Sequence, residues 1–589
     1  MEEIFNVATH FFYAILMFLL FLSIGKIIIR EKLVVNNFSL YFDVFISVLT
    51  GMTIVIFYMT FLSIFGIVYK PLVYLLFFGF FGIKYFKYSK KIYFNVILLF
   101  IMFIPILSLT LYPPTHWDDI SYHLPIAQSL LKIGNLSGNE FLRYPYFPFN
   151  AEMLFTFGMI FGVKTSQIIS SISLFTLCIG IYGYIHKRTA SIILSIFSFI
   201  VMISSQILIF LSSVSYVDIL LATFVTAAII LVVEYFETGN MYILYLSATF
   251  FGIAAGVKYT ALIICVIAGI LFILAIFLYK IEYKNLFKFI ATVSVICIPW
   301  YIRTLIYTGN PVWPFMSSVF GTGDIWNEDD YTGQFGDFTA NGVEKNFINF
   351  LKIPKMLSID NYEVIALNVI VWIGFLLFIV MKKKKSQIFL LLFIILYTIT
   401  WFLSINLPRY YAPILPVLLL VCSIGFIHLI NQIQERRMKN VILVLLIIGL
   451  SITPIKYINT KVQNEGFPPL TTIKETEYLR GKLATYDGTI YSQKLNGKTY
   501  GLLNENMYYY ANGKSIGDWF GIARYSTTLG LLYDEQKIHE HLKSLNVNYF
   551  LINKGRLTEE QNSLLDYNIY FAKVYEDSST IIFRLNEKN

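Results

Sequence analysis

From Phe11 to Ile458 the chain repeats one pattern: an apolar run of roughly membrane-crossing length, a short polar break, and another apolar run. A bilayer core of about 30 Å is crossed by about 20 residues of α-helix, and inside it every backbone amide and carbonyl must find its partner within the chain. The pattern therefore commits the sequence to a bundle of transmembrane helices. The balance of residues agrees, with 57% hydrophobic and 14% charged, where soluble domains carry about 25% charged residues. Abundant Phe (54) and Tyr (42) suit bilayer-facing helices with aromatic ends.

The runs predict spans near 9–29, 42–66, 70–87, 92–112, 165–185, 190–211, 217–236, 241–257, 260–280, 288–306, 362–381, 386–405, 410–430 and 440–458, thirteen or fourteen helices in all. The first run follows Glu2 and Glu3 rather than a basic stretch and meets no small-residue cleavage site, so it reads as a retained helix. Cys178, Cys265, Cys297 and Cys422 all lie in apolar runs and read as small buried hydrophobes, not as disulfides or metal ligands.

Lys and Arg gather at six breaks: Arg30/Lys32, Lys84/Lys87/Lys90/Lys91, Lys187/Arg188, Lys280/Lys284/Lys288, Lys382 to Lys385, and Arg436/Arg437/Lys439. With all six on the cytoplasmic side of a bacterial-type cytoplasmic membrane, the predicted spans alternate without contradiction. The net charge of +9 is then a topology signal and not a nucleic-acid patch. Segments 113–164 and 307–361 become outer loops, and the tail from about 459 lies outside as well. That tail has no spanning run. Its short β-like stretches (Thr489–Tyr491, Tyr549–Ile552, Thr580–Phe583) alternate with helical ones such as Asp534–Leu545, which predicts a small extracytoplasmic α/β domain over 459–589.

In so apolar a chain, ionisable residues near membrane depth cost free energy unless paired or hydrated, so each is informative. The richest group is Thr115-His116-Trp117-Asp118-Asp119-Ile120-Ser121-Tyr122-His123-Leu124-Pro125. Two adjacent carboxylates with two histidines nearby suit a general base, a metal site or both, and equally suit an acidic cap on a short interfacial helix. Asp218, Lys258, Arg303 and Arg409 fall on the same predicted side. Singly, Asp218 reads as an N-cap, Lys258 and Arg303 as snorkelling side chains, and Gly252/Gly256 as a packing face. Together, three cations facing an acid-rich loop point to a bound anion such as phosphate. The sequence carries no Walker loop, so a lipid-borne donor is easier to accommodate than a nucleotide sugar.

These segments resemble the GT-C superfamily of membrane glycosyltransferases, in the bacterial branch related to protein O-mannosyltransferases and lipid A aminoarabinose transferases. The resemblance runs through Trp117–Pro125, Arg143-Tyr144-Pro145, Asn150-Ala151-Glu152, Tyr216-Val217-Asp218, Gly256–Thr260, Gly309–Pro314 and Arg409–Pro416, in order, over about 92–460. It implies three modules: additional N-terminal helices over 1–91, a GT-C-like catalytic core over 92–458, and the outer α/β domain. It implies an inverting hexosyl or pentosyl transfer from a polyprenyl-phosphate sugar to a hydroxyl on a glycan, lipid or protein acceptor. Asp118 would be the base, with Asp119 beside it in the catalytic pair. Tyr122, His123, Lys258, Arg303, Arg409 and Tyr410 would contact substrate. A divalent ion shared by Asp118 and Asp218 is the one cofactor the resemblance admits. A flippase or transporter of polyprenyl-linked glycans is the competing reading from another class, and a polymerase or ligase with a lipid-pyrophosphate donor is a further enzymatic one.

Overall fold

The computed structural model describes residues 1–30, 39–136, 139–340, 342–358 and 367–587. Lys32 of the first basic cluster, the end of the predicted loop at 359–361 and the start of the predicted span at 362–366 lie outside the described residues. The architecture is the expected one, a polytopic helical bundle carrying a small α/β domain.

The number of long spans is smaller than the apolar runs predict. Among the described residues ten helices are long and apolar enough to cross a membrane, and the pair Ile192–Ile203 and Gln206–Ser213, bent by 72°, makes an eleventh. Two predicted spans are short helices, Met241–Ala255 and Ile370–Val380. The run at 70–87 is a five-residue α-helix, Lys70–Tyr74, that tightens into an eleven-residue 3₁₀ helix, Leu75–Tyr85. A 3₁₀ helix rises about 2.0 Å per residue against about 1.5 Å in an α-helix, so this segment is still roughly 30 Å long. Hydropathy registers apolar length and is blind to such a change of winding.

Close approach explains how the N-terminal helices pack. A Cβ on Gly25 would sit 1.7 Å from the Ser47 carbonyl oxygen, and one on Gly51 would sit 1.8 Å from that of Phe21, so Glu2–Ile29 and Leu40–Ile64 cross backbone to backbone. A buried ion pair, Lys26 Nζ to Asp43 Oδ2 at 2.8 Å, ties the same two helices, and the Tyr88 hydroxyl donates to Asp43 at 2.7 Å. Val163–Thr189 and Asp218–Thr238 form the buried centre of the bundle. Apolar residues such as Phe277, Val295, Ile306 and Leu445 stand exposed on the perimeter, as lipid-facing positions should.

The C-terminal domain is a five-stranded sheet in the order β2-β1-β3-β5-β4, where β1 is Thr499–Leu502, β2 Ser515–Ile516, β3 Tyr549–Asn553, β4 Phe571–Glu576 and β5 Thr580–Leu585. β1 pairs in parallel with β2 and β3, and β5 is antiparallel to β3 and β4. Helix Glu535–Ser544, capped by Asp534 on the Lys537 amide, buries Ile538, His539 and Leu542. Thr489–Tyr491, expected as strand, lies inside helix Tyr486–Lys494, because Gly488, Thr489 and Ser492 form the face buried in the domain. That spacing is helical, and three β-prone residues are too few to override it.

This domain sits on the segment that carries Asp118. The Tyr509 amide donates to the Ile120 carbonyl at 2.9 Å, and the Tyr510 hydroxyl donates to the Pro114 carbonyl at 2.7 Å. Ile120 itself packs among Leu479, Leu483 and Met507.

Candidate active site

Helix Lys90–Leu107 tightens into a 3₁₀ turn, Ser108–Leu111, and is stopped by Pro113 and Pro114. The chain restarts as one π-helical turn, Asp119–His123, that runs into Leu124–Ile133 with Pro125 in its first turn. Such wide turns displace side chains from helical register and are frequent at functional sites. Here the turn separates neighbours in sequence: Asp118 lines a cavity of about 410 Å³, and Asp119 points into the protein.

The cavity brings together Asp118, Tyr122, His123, Lys258, Arg409 and Tyr410 of the sequence-predicted residues. Arg409 Nη1 lies 2.8 Å from Asp118 Oδ2. Lys258 Nζ lies 2.8 Å from Asp218 Oδ1 and 4.6 Å from the centre of the Tyr410 ring. The Tyr216 ring lies 5.0 Å from the Arg409 guanidinium carbon, and its hydroxyl accepts the Asp118 amide at 3.3 Å. His123 Nδ1 is bonded to Glu152 Oε1 at 2.7 Å. Two of the carboxylates thus each face a cation, and the cations face the same space.

Electrostatics separates the two adjacent acids. Burial pushes the Asp118 carboxyl up, but the Arg409 guanidinium first, then His123, the Tyr122 hydroxyl and Lys258, more than offset it and hold Asp118 below the usual carboxylate range. Asp119 differs. Burial pushes it well above that range and the Asp118 charge adds to the rise, against the opposing Ser215 amide and Lys461 charge. Neither of its carboxyl oxygens has a well-formed hydrogen bond. Asp119 thus faces the interior and not the cavity, away from the partnership with Asp118 expected from its place in sequence. His116 is neutral, driven down to about 4 chiefly by burial, and its ring packs on Phe210. Arg409 stays charged, because Asp118 and Asp218 outweigh its own burial.

Arg303 has a different task from the expected one. It does not line the cavity but donates to the carbonyls of Leu136 and Pro145 at 2.9 Å each and of Phe147 at 3.4 Å, with Phe149 stacked 4.4 Å from its guanidinium. It fixes the backbone of the loop that leads to the cavity wall. Asn150 does related work from the other side. Its amide group donates to the Ile253 carbonyl at 2.9 Å and accepts the Trp300 indole N–H at 2.7 Å. Gly256 is required there, since a Cβ would meet the Asn150 amide nitrogen at 2.1 Å.

Asp118 and Asp218 do not fit the expected metal pair. Each carboxylate is already engaged by a cation at 2.8 Å, and among the described residues no group of three His, Cys, Asp or Glu is placed to hold an ion. The residues sequence reasoning left without a role are Glu152, Tyr216, Arg143, Tyr144 and Gln334, all on the cavity wall. The first four stood inside quoted motifs, but only the fold brings them to Asp118; Gln334 carried no signal in sequence.

The bundle, the loop-borne carboxylate and the attached α/β domain together define a polytopic helical membrane protein whose fold is shared with a solved structure. ArnT from Cupriavidus metallidurans in the apo state superposes with a TM-score of 0.53 at 12% identity, covering 84% of this chain and 98% of that one. The same protein bound to undecaprenyl phosphate gives 0.52 at 12% identity, covering 83% and 97%. The chain belongs to the family described as domain of unknown function DUF8201, whose model matches residues 8–416. A second model, described as SF2091/S2213, matches residues 474–584. The uncharacterized protein SF2093/S2215 of Shigella flexneri is 35% identical over 91 residues, which are 15% of this chain and 46% of that protein, so the chain spans about half the length of this curated relative.

Proposed function

We propose that this protein is an inverting glycosyltransferase that moves a sugar from a polyprenyl-phosphate donor to an acceptor hydroxyl on the outer side of the cytoplasmic membrane. The observation that carries the reading is the pairing of Asp118 with Arg409 on the wall of a cavity that Lys258 also lines. The likeness in fold to ArnT bound to undecaprenyl phosphate supports a lipid-phosphate donor. A carboxylate held in its ionised form accepts the proton of the acceptor hydroxyl as that oxygen attacks the anomeric carbon. The bond from that carbon to the phosphate oxygen breaks, and its electron pair leaves with the lipid phosphate. Lys258 and Arg409 are the groups suited to stabilise that departing anion. Attack and departure on opposite faces of the sugar give inversion. His123, held by Glu152, and the hydroxyls of Tyr122 and Tyr410 are suited to orient sugar and phosphate.

The test is transfer from a polyprenyl-phosphate-linked sugar by the purified full chain in proteoliposomes. Asp118→Asn, expressed and folded like the parent, is expected to lose transfer by about 10³-fold. Full activity in that variant removes Asp118 as the base. Lipid flipping that persists in it would favour a transporter.

A further inference from the structure

Two large aromatic side chains, one on the cavity wall and one on the C-terminal domain, stand partly exposed. Trp117, on the cavity wall next to Asp118, is 38% exposed, and Trp519, on the C-terminal domain, is 39% exposed. One guanidinium lies against both indoles: Arg556 Cζ is 5.5 Å from the centre of the Trp117 ring and 5.4 Å from that of Trp519. Arg556 is itself fixed, donating from Nη1 to Glu505 Oε1 at 2.8 Å, to Oε2 at 3.0 Å and to the Leu503 carbonyl at 2.9 Å. Glu505 is buried and also accepts the Trp519 indole N–H at 3.1 Å. A single buried carboxylate therefore holds the guanidinium and one of the two indoles, and the guanidinium spaces the pair.

An aromatic anchor at a membrane surface needs no desolvated ion pair behind it. A surface built from indole faces with a fixed fork of N–H donors between them matches another chemistry. A pyranose ring offers a face of C–H bonds, positive against the negative face of an indole, and a rim of hydroxyls that accept from a guanidinium. We propose that Trp117, Arg556 and Trp519 form a subsite for a carbohydrate acceptor, leading from the C-terminal domain to the hydroxyl that reaches Asp118. The subsite gives the C-terminal domain a direct part in choosing the acceptor. The assignment of the carbohydrate as acceptor rests on the glycosyltransferase reading; the binding of carbohydrate at this surface does not.

The experiment uses the full chain in nanodiscs, probed on an array of immobilised bacterial surface polysaccharides and, separately, with undecaprenyl phosphate. The parent protein is expected to capture at least one polysaccharide class. Trp519→Ala is expected to weaken that capture about tenfold or more, Trp519→Phe to restore most of it, and both to keep undecaprenyl phosphate affinity within about twofold. Capture of no polysaccharide by the parent protein overturns the proposal, as does undiminished capture by a folded Trp519→Ala variant. Trp519-dependent binding to phosphatidylglycerol vesicles in place of polysaccharide also overturns it, in favour of a membrane anchor. Trp519-dependent capture without undecaprenyl phosphate binding upholds the subsite and removes the donor reading instead.

Discussion

Asp118 and Arg409 meet at 2.8 Å on the cavity wall, so the carboxylate suited to take a proton and the guanidinium suited to hold a phosphate start as each other's counter-ion. A phosphate entering the cavity competes with Asp118 for Arg409. Donor binding would thereby free the base and weaken the force that keeps its affinity for protons low. On the proposed function, this coupling would make the ion pair a resting state and not merely a structural bond.

Removal of the guanidinium separates its two roles. Arg409→Ala is expected to lower undecaprenyl phosphate affinity by about 10- to 100-fold, the scale of a lost charge-assisted hydrogen bond. In the same variant Asp118 loses its main stabilising charge. Arg409→Lys is expected to recover part of the affinity but not the paired geometry of the fork. Equilibrium binding of the lipid to each variant in detergent is the measurement, and unchanged affinity in Arg409→Ala would take the residue out of the phosphate clamp.

Lys258 is bound to a partner the sequence did not assign to it. Asp218 is buried and has Lys258 Nζ at 2.8 Å, so Lys258→Ala strands a carboxylate in the bundle. The expected cost is about 3–5 kcal/mol, the usual penalty for breaking one side of a buried pair. Adding Asp218→Asn to Lys258→Ala is expected to recover much of the melting temperature without restoring lipid binding. Thermal melts of both variants decide this, and no recovery in the double variant would mean that Asp218 does not depend on Lys258.

Arg303→Ala should behave unlike either of these. The three carbonyls that Arg303 satisfies belong to Leu136, Pro145 and Phe147, and of these only Phe147 reaches the cavity lining, while Arg303 itself does not. The variant is expected to lose at least about 2 kcal/mol of stability. At a temperature where it stays folded, its affinity for undecaprenyl phosphate is expected to stay near that of the parent. A large loss of affinity in a fully folded Arg303→Ala protein would return Arg303 to the clamp.

The contrast between Arg303 and Arg409 shows how far the sequence is legible. Both are cations at the ends of apolar runs, and hydropathy ranks them alike. One turns to backbone carbonyls and the other to a carboxylate 291 positions away, and only the fold distinguishes these partners. Asp118 and Asp119 part for a similar reason, since a single π-helical turn sends one to the cavity and the other inward. The membrane fold and the loop that lines the cavity were readable, because charge in an apolar chain is costly and therefore conspicuous. Glu152, Tyr216 and Gln334 were not assigned roles, because polar residues in loops carry no such cost until a cavity forms around them.

Sidedness has a direct test. The native cysteines are buried, apart from the half-buried Cys265, which leaves engineered positions free to report. Ser578→Cys, on the exposed surface of the C-terminal domain, is expected to react with an impermeant maleimide in intact spheroplasts. Lys384→Cys, in the basic break between Ile370–Val380 and Lys385–Leu403, is expected to react only after permeabilisation. The reverse pattern would invert the proposed topology and place the site in the cytoplasm.

Asp518 makes the C-terminal domain sensitive to pH. It is buried next to the indole of the proposed subsite, and burial, opposed by Arg143 and reinforced by Glu505, raises its carboxyl to about 7 from an ordinary 3.8. Between those two values the folded chain keeps a proton that the unfolded chain has released. Stability therefore falls as pH rises through this window and levels off above it. The full effect is on the order of 4 kcal/mol. Asp518→Asn keeps an oxygen to accept the Trp519 amide, which Asp518 Oδ1 accepts at 2.6 Å, and removes the titration. The variant is expected to melt modestly above the parent near pH 5 and well above it near pH 8, the gap widening between them. Melting curves of the full chain across that range provide the check. A constant offset between the two proteins at every pH would show that Asp518 is already ionised in the fold, with Arg143 outweighing its burial.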